Sequence, residues 1–238
     1  MRGCIFDLDG TLTDTLDSLT YSVNLTLEEM GLPRITEEQC RLFVGNGARY
    51  LMEKALKASG DANLSRIEEG MEVYGRIFSA NCTYHVTPYK GILELLEQLK
   101  MRGIKLAVLS NKPHGQTVDV VKQIFGENVF DYVQGQCENL ARKPDPSGVW
   151  KLLEEMGISR EECLYVGDSE GDVKTAEAAG VQEIAVTWGF RDRVSLEKAG
   201  AMTLIDSPRE LLAYVEGTTP RDPVRKKRAI KEGGQSNV

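Results

Sequence analysis

Short apolar runs alternate along this chain with stretches of helical periodicity, and that alternation limits the possible fold more than any other feature. The runs occupy residues 3–6, 104–109, 129–133, 163–166 and 184–186. None shows a clean apolar–polar alternation, which indicates strands that are buried on both faces, as in a parallel sheet. Helical stretches between them end near Gly103, Gly157 and Gly180. The pattern predicts an α/β fold with a doubly wound parallel sheet over residues 1–14 and 83–216.

Residues 15–82 interrupt this alternation directly after the first strand and contain no predicted strand of their own. A helix is expected over residues 16–30. The segment Thr36-Glu37-Glu38-Gln39 has the spacing of a capping box and predicts the start of a second helix. A Gly45-Asn46-Gly47 turn and further helical stretches follow. We therefore expect an all-helical domain inserted into the α/β domain.

Charge and cysteine content narrow the range of functions. The 238 residues include 29 basic and 36 acidic ones, and the net charge of −7 disfavours nucleic acid or an anionic membrane as the main partner. Five scattered cysteines without a C-x-x-C pair favour the reducing cytoplasm over a disulfide framework or a zinc site. No run approaches the ~20 apolar residues that span a bilayer. Residues 217–238 differ, because they form a basic polar tail that we expect to be solvated.

Polar residues follow three of the predicted strands where each strand ends, and one lysine precedes a proline between two strands. These residues are Asp7, Asp9, Thr11, Ser110, Asn111, Lys112, Lys143, Asp168 and Asp172. Because the carboxyl ends of parallel strands share one edge of a sheet, we expect a site there that combines four carboxylates, a hydroxyl and at least one lysine. Lys112 is as consistent with a surface position as with the site. His85 and His114 are interpreted as structural or surface residues, and Asp14 as shaping the exit towards the helical insertion.

Such a cluster favours phosphoryl chemistry with a divalent cation. Four neighbouring carboxylates repel one another, and a cation relieves this repulsion. Oxygen ligands without histidine or cysteine favour Mg²⁺ over zinc or copper. A hard cation, a lysine and a serine hydroxyl together suit the oxygens of a phosphoryl group.

These residues also carry a resemblance to a known family. Asp7-Leu8-Asp9-Gly10-Thr11 resembles the first motif of the haloacid dehalogenase superfamily, in its phosphatase branch. Ser110, Lys143 and the segment from Gly167 to Asp172 resemble its second, third and fourth motifs. The resemblance spans residues 1–216 and implies a Rossmann-like core whose active site is covered by a helical cap at residues 15–82.

The resemblance also implies roles for individual residues. Asp7 would be the nucleophile that forms an aspartyl-phosphate, and Asp9 the general acid and then the general base. The implied Mg²⁺ ligands are Asp7, Asp9 through its backbone carbonyl, Asp168 and Asp172. The implied phosphate-binding residues are Thr11, Ser110, Asn111 and Lys143.

The helical insertion resembles that of phosphoglycolate phosphatases. Segments near the ends of two strands resemble the same enzymes. The segments concerned are 22–24, 31–33, 44–48, 110–113 and 186–190. This implies a small phosphorylated metabolite as substrate, with 2-phosphoglycolate as the leading candidate, and a monomer or homodimer. Asn46, Gly47 and Arg49 are candidate substrate contacts. Arg49 is a candidate to bind a substrate carboxylate and is equally consistent with a position at the surface. Three alternatives stay open: an inorganic pyrophosphatase, a β-phosphoglucomutase-like phosphotransferase and a catalytically silent binding protein.

Overall fold

A computed structural model describes residues 1–218 of the chain. Its strands are β1 (Gly3–Phe6), β2 (Thr13–Asp14), β3 (Thr87–Pro88), β4 (Lys105–Pro113), β5 (Tyr132–Gln136), β6 (Cys163–Gly167), β7 (Gln182–Val186) and β8 (Leu204–Ile205). Its α-helices are α1 (Leu16–Glu29), α2 (Glu37–Phe43), α3 (Gly47–Ala58), α4 (Ile67–Asn81), α5 (Ile92–Met101), α6 (His114–Phe125), α7 (Ser147–Met156), α8 (Glu170–Ala179), α9 (Arg193–Ala199) and α10 (Leu211–Val215). The predicted basic tail beyond Thr218 lies outside these residues.

Six strands form one parallel sheet in the order β5-β4-β1-β6-β7-β8. The chain winds outward from β1 to β4 and β5, then returns to the other side of β1 and winds outward again. The topological switch point therefore lies at β1, where loops from neighbouring strands diverge and leave a crevice. This architecture confirms the predicted doubly wound α/β fold.

Side chains of β1 point alternately into the two apolar layers of the fold, as the two-residue repeat of a strand requires. Phe6 packs in a large cluster that continues into the helices of residues 16–81, whereas Ile5 packs with residues of α7 on the opposite face. All four residues of β1 are buried. Burial on both faces explains why the strand reads as a continuous apolar run in the sequence.

Two strand predictions were wrong in their boundaries. The third strand was expected at residues 129–133 but runs from Tyr132 to Gln136. The apolar signal came partly from Phe130, which packs in the core against the rings of Phe6 and Phe125. The second strand was expected to end at residue 109 but continues to Pro113 with a register shift beyond Leu109. As a result, Ser110, Asn111 and Lys112 lie in the irregular end of a strand and not in a following loop.

The helical segment leaves and rejoins the α/β part through a two-stranded antiparallel ribbon that the sequence did not predict. Thr13 pairs with Pro88, and Asp14 pairs with Thr87. Asp14 also accepts a hydrogen bond from the backbone N–H of Leu16 at the start of α1 (3.2 Å), which agrees with its interpretation as an exit residue. The predicted capping box at Thr36 and Gln39 is confirmed by reciprocal hydrogen bonds of 3.1 and 2.8 Å. Among the described residues, no helix is both long and apolar enough to cross a membrane.

Candidate active site

The switch point of the sheet opens into a cavity between the strand ends and the helical segment. Asp7, Asp9, Ser110, Lys112 and Lys143 line its floor on the side of the sheet. Apolar and aromatic side chains of α1, α3 and α4 line the other side; they are Leu19, Leu51, Tyr74 and Phe78. The cavity thus combines a charged floor with a cover that presents mainly apolar groups.

Lys143 connects two of the carboxylates. Its Nζ lies 2.8 Å from Asp7 Oδ1 and 2.8 Å from Asp172 Oδ1, and its side chain is only 4% exposed. Burial opposes the charge on Lys143, but the nearby charges of Asp172 and Asp7 outweigh it and raise the lysine pKa well above its usual value. The ammonium therefore stays charged at physiological pH and neutralises part of the acidic cluster.

Asp7 directly follows β1, and its carboxylate has few charge-stabilising neighbours other than Lys143. Burial and the negative charge of Asp172 raise the pKa of Asp7 well above its usual value, while Lys143 acts in the opposite direction. The backbone N–H of Leu8 donates to Asp7 Oδ1 (2.7 Å), which fixes the orientation of the carboxylate relative to the cavity.

Asp168 directly follows β6 and is held by two hydrogen bonds. Thr11 Oγ1 donates to one carboxylate oxygen (2.9 Å), and the backbone N–H of Phe190 donates to the other (2.8 Å). Burial and the charge of Asp172 nevertheless raise the pKa of Asp168 to about 7. Gly10, which has a φ of +87°, makes this packing possible, because a Cβ at that position would lie 2.3 Å from Asp168 Oδ2.

Asp172 lies in the first turn of α8 and is the best-supported carboxylate of the group. Its Oδ1 accepts hydrogen bonds from Lys143 Nζ and from the hydroxyl of Tyr165 (2.9 Å). Its Oδ2 accepts from the hydroxyl of Ser169 (2.6 Å), the N-cap residue of α8. Burial disfavours its ionised form, but the Lys143 charge and these hydrogen bonds together lower the pKa of Asp172 below its usual value.

The chemistry of Asp7, Asp168 and Asp172 fits a hard divalent cation. The three buried carboxylates each offer an oxygen, and these oxygens lie within 4.8 Å of one another. With Lys143 the group carries three negative charges and one positive charge, which leaves −2 when all are ionised. A divalent cation would neutralise that charge and relieve the repulsion that adds to burial in raising the pKa values of Asp7 and Asp168. Oxygen donors alone favour Mg²⁺ or a similar ion.

The side chain of Asp9 lies outside this group of three and has a different partner. Lys112 Nζ lies 2.8 Å from Asp9 Oδ1, and the Lys112 side chain is only 2% exposed. The same ammonium lies 4.9 Å from the centre of the Phe78 ring on α4. The open question of whether Lys112 belongs to the surface or to the site is therefore resolved, because Lys112 lines the cavity.

Asn111 and Thr11, two of the residues expected to bind phosphate, form their side-chain hydrogen bonds with protein groups. Asn111 Nδ2 donates to the backbone carbonyls of Lys143 (3.1 Å) and Gly45 (3.0 Å), while its Oδ1 accepts from the N–H of Lys143 (2.9 Å). Thr11 is fully buried, and its hydroxyl is directed at Asp168. Both residues thus position charged neighbours. Asn111 lines the cavity with Ser110, whereas Thr11 does not.

The structure brings one of the three candidate substrate contacts of the helical segment to the cavity. Gly47 lines it, but Asn46 and Arg49 do not. The Arg49 guanidinium pairs instead with Glu68 on α4 (2.5 Å) and with Glu53 one turn further along α3 (3.5 Å). The expectation that Arg49 binds a substrate carboxylate therefore disagrees with the structure, because these two acidic residues hold the side chain at the surface.

Arg191 supports the site from outside the cavity lining, and the sequence did not single it out. It follows the loop that carries Phe190, and its guanidinium donates to the backbone carbonyls of Arg41 (2.8 Å) and Val44 (2.7 Å) at the end of α2. It also pairs with Glu170 at 3.1 Å. With the Asn111–Gly45 hydrogen bond, these contacts hold the segment between α2 and α3 against the strand ends.

Comparison with known proteins agrees with this geometry. Residues 4–186 match the family described as haloacid dehalogenase-like hydrolase. The chain therefore belongs to the haloacid dehalogenase-like hydrolases, and the predicted family is confirmed.

Individual relatives narrow the resemblance further. The chain is 35% identical over 215 residues to the phosphoglycolate phosphatase of Rhodospirillum rubrum, covering 86% of this chain and 87% of the relative. It is 34% identical over 190 residues to the phosphoglycolate phosphatase of Aquifex aeolicus, with coverages of 80% and 86%. A crystal structure from Lactobacillus delbrueckii subsp. bulgaricus that carries the same enzyme name has a TM-score of 0.82 at 30% identity, covering 90% and 98% of the two chains. The predicted enzyme class, a phosphoric monoester hydrolase of the phosphoglycolate phosphatase-like group, is confirmed.

Proposed function

We propose that this enzyme hydrolyses a small phosphomonoester, with 2-phosphoglycolate as the leading candidate, through an aspartyl-phosphate on Asp7 and with the help of Mg²⁺. The observation that carries the proposal is the position of Asp7, whose carboxylate borders the cavity at the centre of the sheet, 2.8 Å from Lys143. The Asp9 carboxylate lines the same cavity, two residues along the chain.

In the proposed reaction, an oxygen of Asp7 attacks phosphorus and the bond from phosphorus to the ester oxygen breaks. Asp9 donates its proton to the departing alkoxide, which leaves as an alcohol. Asp9 then takes a proton from water, and the resulting hydroxide attacks the phosphorus of the aspartyl-phosphate. The phosphorus–oxygen bond to Asp7 breaks, phosphate is released, and both carboxylates return to their starting state.

The surrounding residues stabilise charge and exclude water. Lys143 and Ser110 would bind phosphoryl oxygens, which is consistent with their position on the cavity floor. Asp7, Asp168 and Asp172 would hold Mg²⁺, together with the backbone carbonyl of Asp9, and the ion would supply positive charge for the phosphoryl oxygens. Helices α1 to α4 would act as a cap over residues 1–14 and 83–216, since their apolar side chains cover the cavity.

The substrate assignment is supported by the names of the relatives and by the form of the site. A cavity that is charged at the floor and closed by Leu51, Tyr74 and Phe78 favours a compact ester over a nucleotide. Inorganic pyrophosphate and a sugar phosphate remain the alternatives, because both could reach the same Asp7. We also propose a cytoplasmic location, which the scattered cysteines favour.

Phosphate release from a substrate panel tests this proposal. The panel contains 2-phosphoglycolate, pyrophosphate, β-glucose-1-phosphate and nucleoside monophosphates, each with Mg²⁺ and with EDTA. We expect Mg²⁺-dependent turnover of 2-phosphoglycolate that falls at least ~1,000-fold in Asp7→Asn, as expected when a nucleophile is removed. Asp14→Asn is the matched control, because Asp14 is a nearby aspartate in β2 that contacts the start of α1 and does not line the cavity.

The possible outcomes separate the alternatives. Preference for pyrophosphate would contradict the substrate and keep the mechanism. Isomerisation of β-glucose-1-phosphate without phosphate release would favour the phosphotransferase. An Asp7→Asn variant as active as wild type would contradict the mechanism itself.

A further inference from the structure

We propose that Lys112 is a specificity-determining residue that binds a second anionic group on the substrate, separate from the phosphoryl group. This inference rests on the proposed phosphatase function and adds to it the residue that selects among phosphate esters. It follows from how the charges in the cavity are already partnered.

Only four charged residues line the cavity within residues 1–218, namely Asp7, Asp9, Lys112 and Lys143. Lys143 is committed to two carboxylates, because it lies 2.8 Å from both Asp7 and Asp172. In the proposed mechanism it also binds the phosphoryl group. Lys112 is therefore the cation that remains for any other negative charge on a substrate.

The Lys112 ammonium has unused hydrogen-bonding capacity. A lysine ammonium carries three N–H donors. Among the described residues, its one hydrogen-bond acceptor is Asp9 Oδ1 at 2.8 Å, and the face of Phe78 lies on another side at 4.9 Å. With a side chain that is 2% exposed, the ammonium is largely removed from bulk water. A buried cation in this situation gains strongly from a ligand oxygen, because burial strengthens charge-assisted hydrogen bonds.

The same contact limits how far the second anionic group can be from the ester oxygen. Asp9 would donate its proton to that oxygen, and Lys112 is hydrogen-bonded to Asp9. The Lys112 ammonium is then no more than two hydrogen bonds, about 5–6 Å, from the ester oxygen, and a carboxylate oxygen that is hydrogen-bonded to the ammonium on the near side comes within about 3–4 Å of the ester oxygen. One or two carbons bridge that distance, so the favoured substrates are short phosphorylated acids such as 2-phosphoglycolate.

A second role for Lys112 makes a different prediction. If Lys112 only holds Asp9 in place, its removal will impair all phosphate esters equally, because every ester uses Asp9. If Lys112 binds the second anionic group, its removal will impair a phosphorylated acid far more than a neutral ester. The ratio of kcat/KM values for two matched substrates therefore distinguishes the roles. That ratio does not depend on the fraction of correctly folded enzyme, which cancels within each preparation.

The experiment compares 2-phosphoglycolate with ethyl phosphate, which has the same carbon chain length but no carboxylate, in wild type and Lys112→Met. We expect wild type to prefer 2-phosphoglycolate, and Lys112→Met to lower the ratio of the two kcat/KM values at least ~30-fold, the effect expected when one partner of a buried charge pair is removed. Lys54→Met is the control, because Lys54 also lies over an aromatic ring, that of Tyr50 on α3 at 5.2 Å, but does not line the cavity. It should leave the ratio unchanged.

Two results would overturn the inference, and they can be told apart. A ratio that changes less than ~3-fold in Lys112→Met, with wild type active on both esters, would leave the phosphatase function intact and reduce Lys112 to a partner of Asp9. Wild-type enzyme that releases no phosphate from either ester in Mg²⁺ would overturn the proposed function and the role of Lys112 with it.

Discussion

Replacing Lys143 by methionine tests the buried charge network at its most connected point. The ammonium lies 2.8 Å from both Asp7 and Asp172, and the side chain is 4% exposed. Removing one partner from a buried ion pair costs about 3–5 kcal/mol, because the other charge stays buried without compensation. With Asp168 included, the net charge of the group would change from −2 to −3 when all three carboxylates are ionised. We therefore expect Lys143→Met to lower the free energy of unfolding by about 4 kcal/mol in EDTA near neutral pH.

Urea unfolding followed by circular dichroism measures this loss. Lowering the pH should reduce it, because Asp7 has a raised pKa and becomes protonated. Adding Mg²⁺ should recover part of it. The control is Lys122→Met, because Lys122 is 54% exposed and pairs with Glu127 at 3.0 Å; exposed pairs contribute about 0–1 kcal/mol. A Lys143→Met variant within about 1 kcal/mol of wild type in EDTA would contradict a stabilising role for the buried Lys143 ion pairs.

Three further predictions concern the support of the site. In EDTA, the unfolding temperature should fall as the pH rises from about 5 to about 8. The reason is that Asp168, with a pKa raised to about 7, favours the folded state only while it is protonated. In calorimetry, the unfolding temperature of Asp168→Asn should therefore depend less on pH than that of wild type. The same pH dependence in both proteins would contradict the role of Asp168. Thr11→Val removes a 2.9 Å hydrogen bond to Asp168 and should weaken Mg²⁺ binding about 10–100-fold by titration calorimetry, whereas unchanged affinity would contradict a positioning role. Arg191→Gln removes the hydrogen bonds to the backbone carbonyls of Arg41 and Val44. It should therefore raise KM more than it lowers kcat and should speed hydrogen exchange in residues 37–48. Exchange at the wild-type rate would contradict the role of Arg191 in holding the segment between α2 and α3.

The sequence allowed the sheet and the centre of the site to be predicted, since both follow from strong local signals. Runs such as residues 3–6 are apolar at every position, which is typical of strands with two buried faces. Asp7 and Asp168 follow two neighbouring strands directly, so the topology alone brings them together. The inserted helices were visible because the capping box at Thr36 and the helical periodicity are also local features.

Contacts between distant segments could not be predicted in the same way. Arg49 occupies a suitable position near the start of α3, but only the packing of α4 shows that Glu68 binds it. Arg191 donates hydrogen bonds to two backbone carbonyls about 150 residues earlier in the chain. Because every residue has a backbone carbonyl, the residue types do not indicate which one accepts. For Lys112 the signal was present, in the run of polar residues that ends β4, but its burial over Phe78 depends on how α4 covers the cavity.

Trapping the covalent intermediate would show whether Asp7 is the nucleophile. In Asp9→Asn the base that activates water is absent. The substrate is 4-nitrophenyl phosphate with Mg²⁺, because its leaving group needs no proton. The phosphoryl group should therefore be transferred to Asp7 and remain there. We expect a burst of about one nitrophenolate per enzyme. Treatment with a hydride donor should then reduce the aspartyl-phosphate at residue 7 to homoserine, which mass spectrometry of the N-terminal peptide detects. Turnover by wild type, combined with no burst and no modified Asp7 in Asp9→Asn, would contradict it.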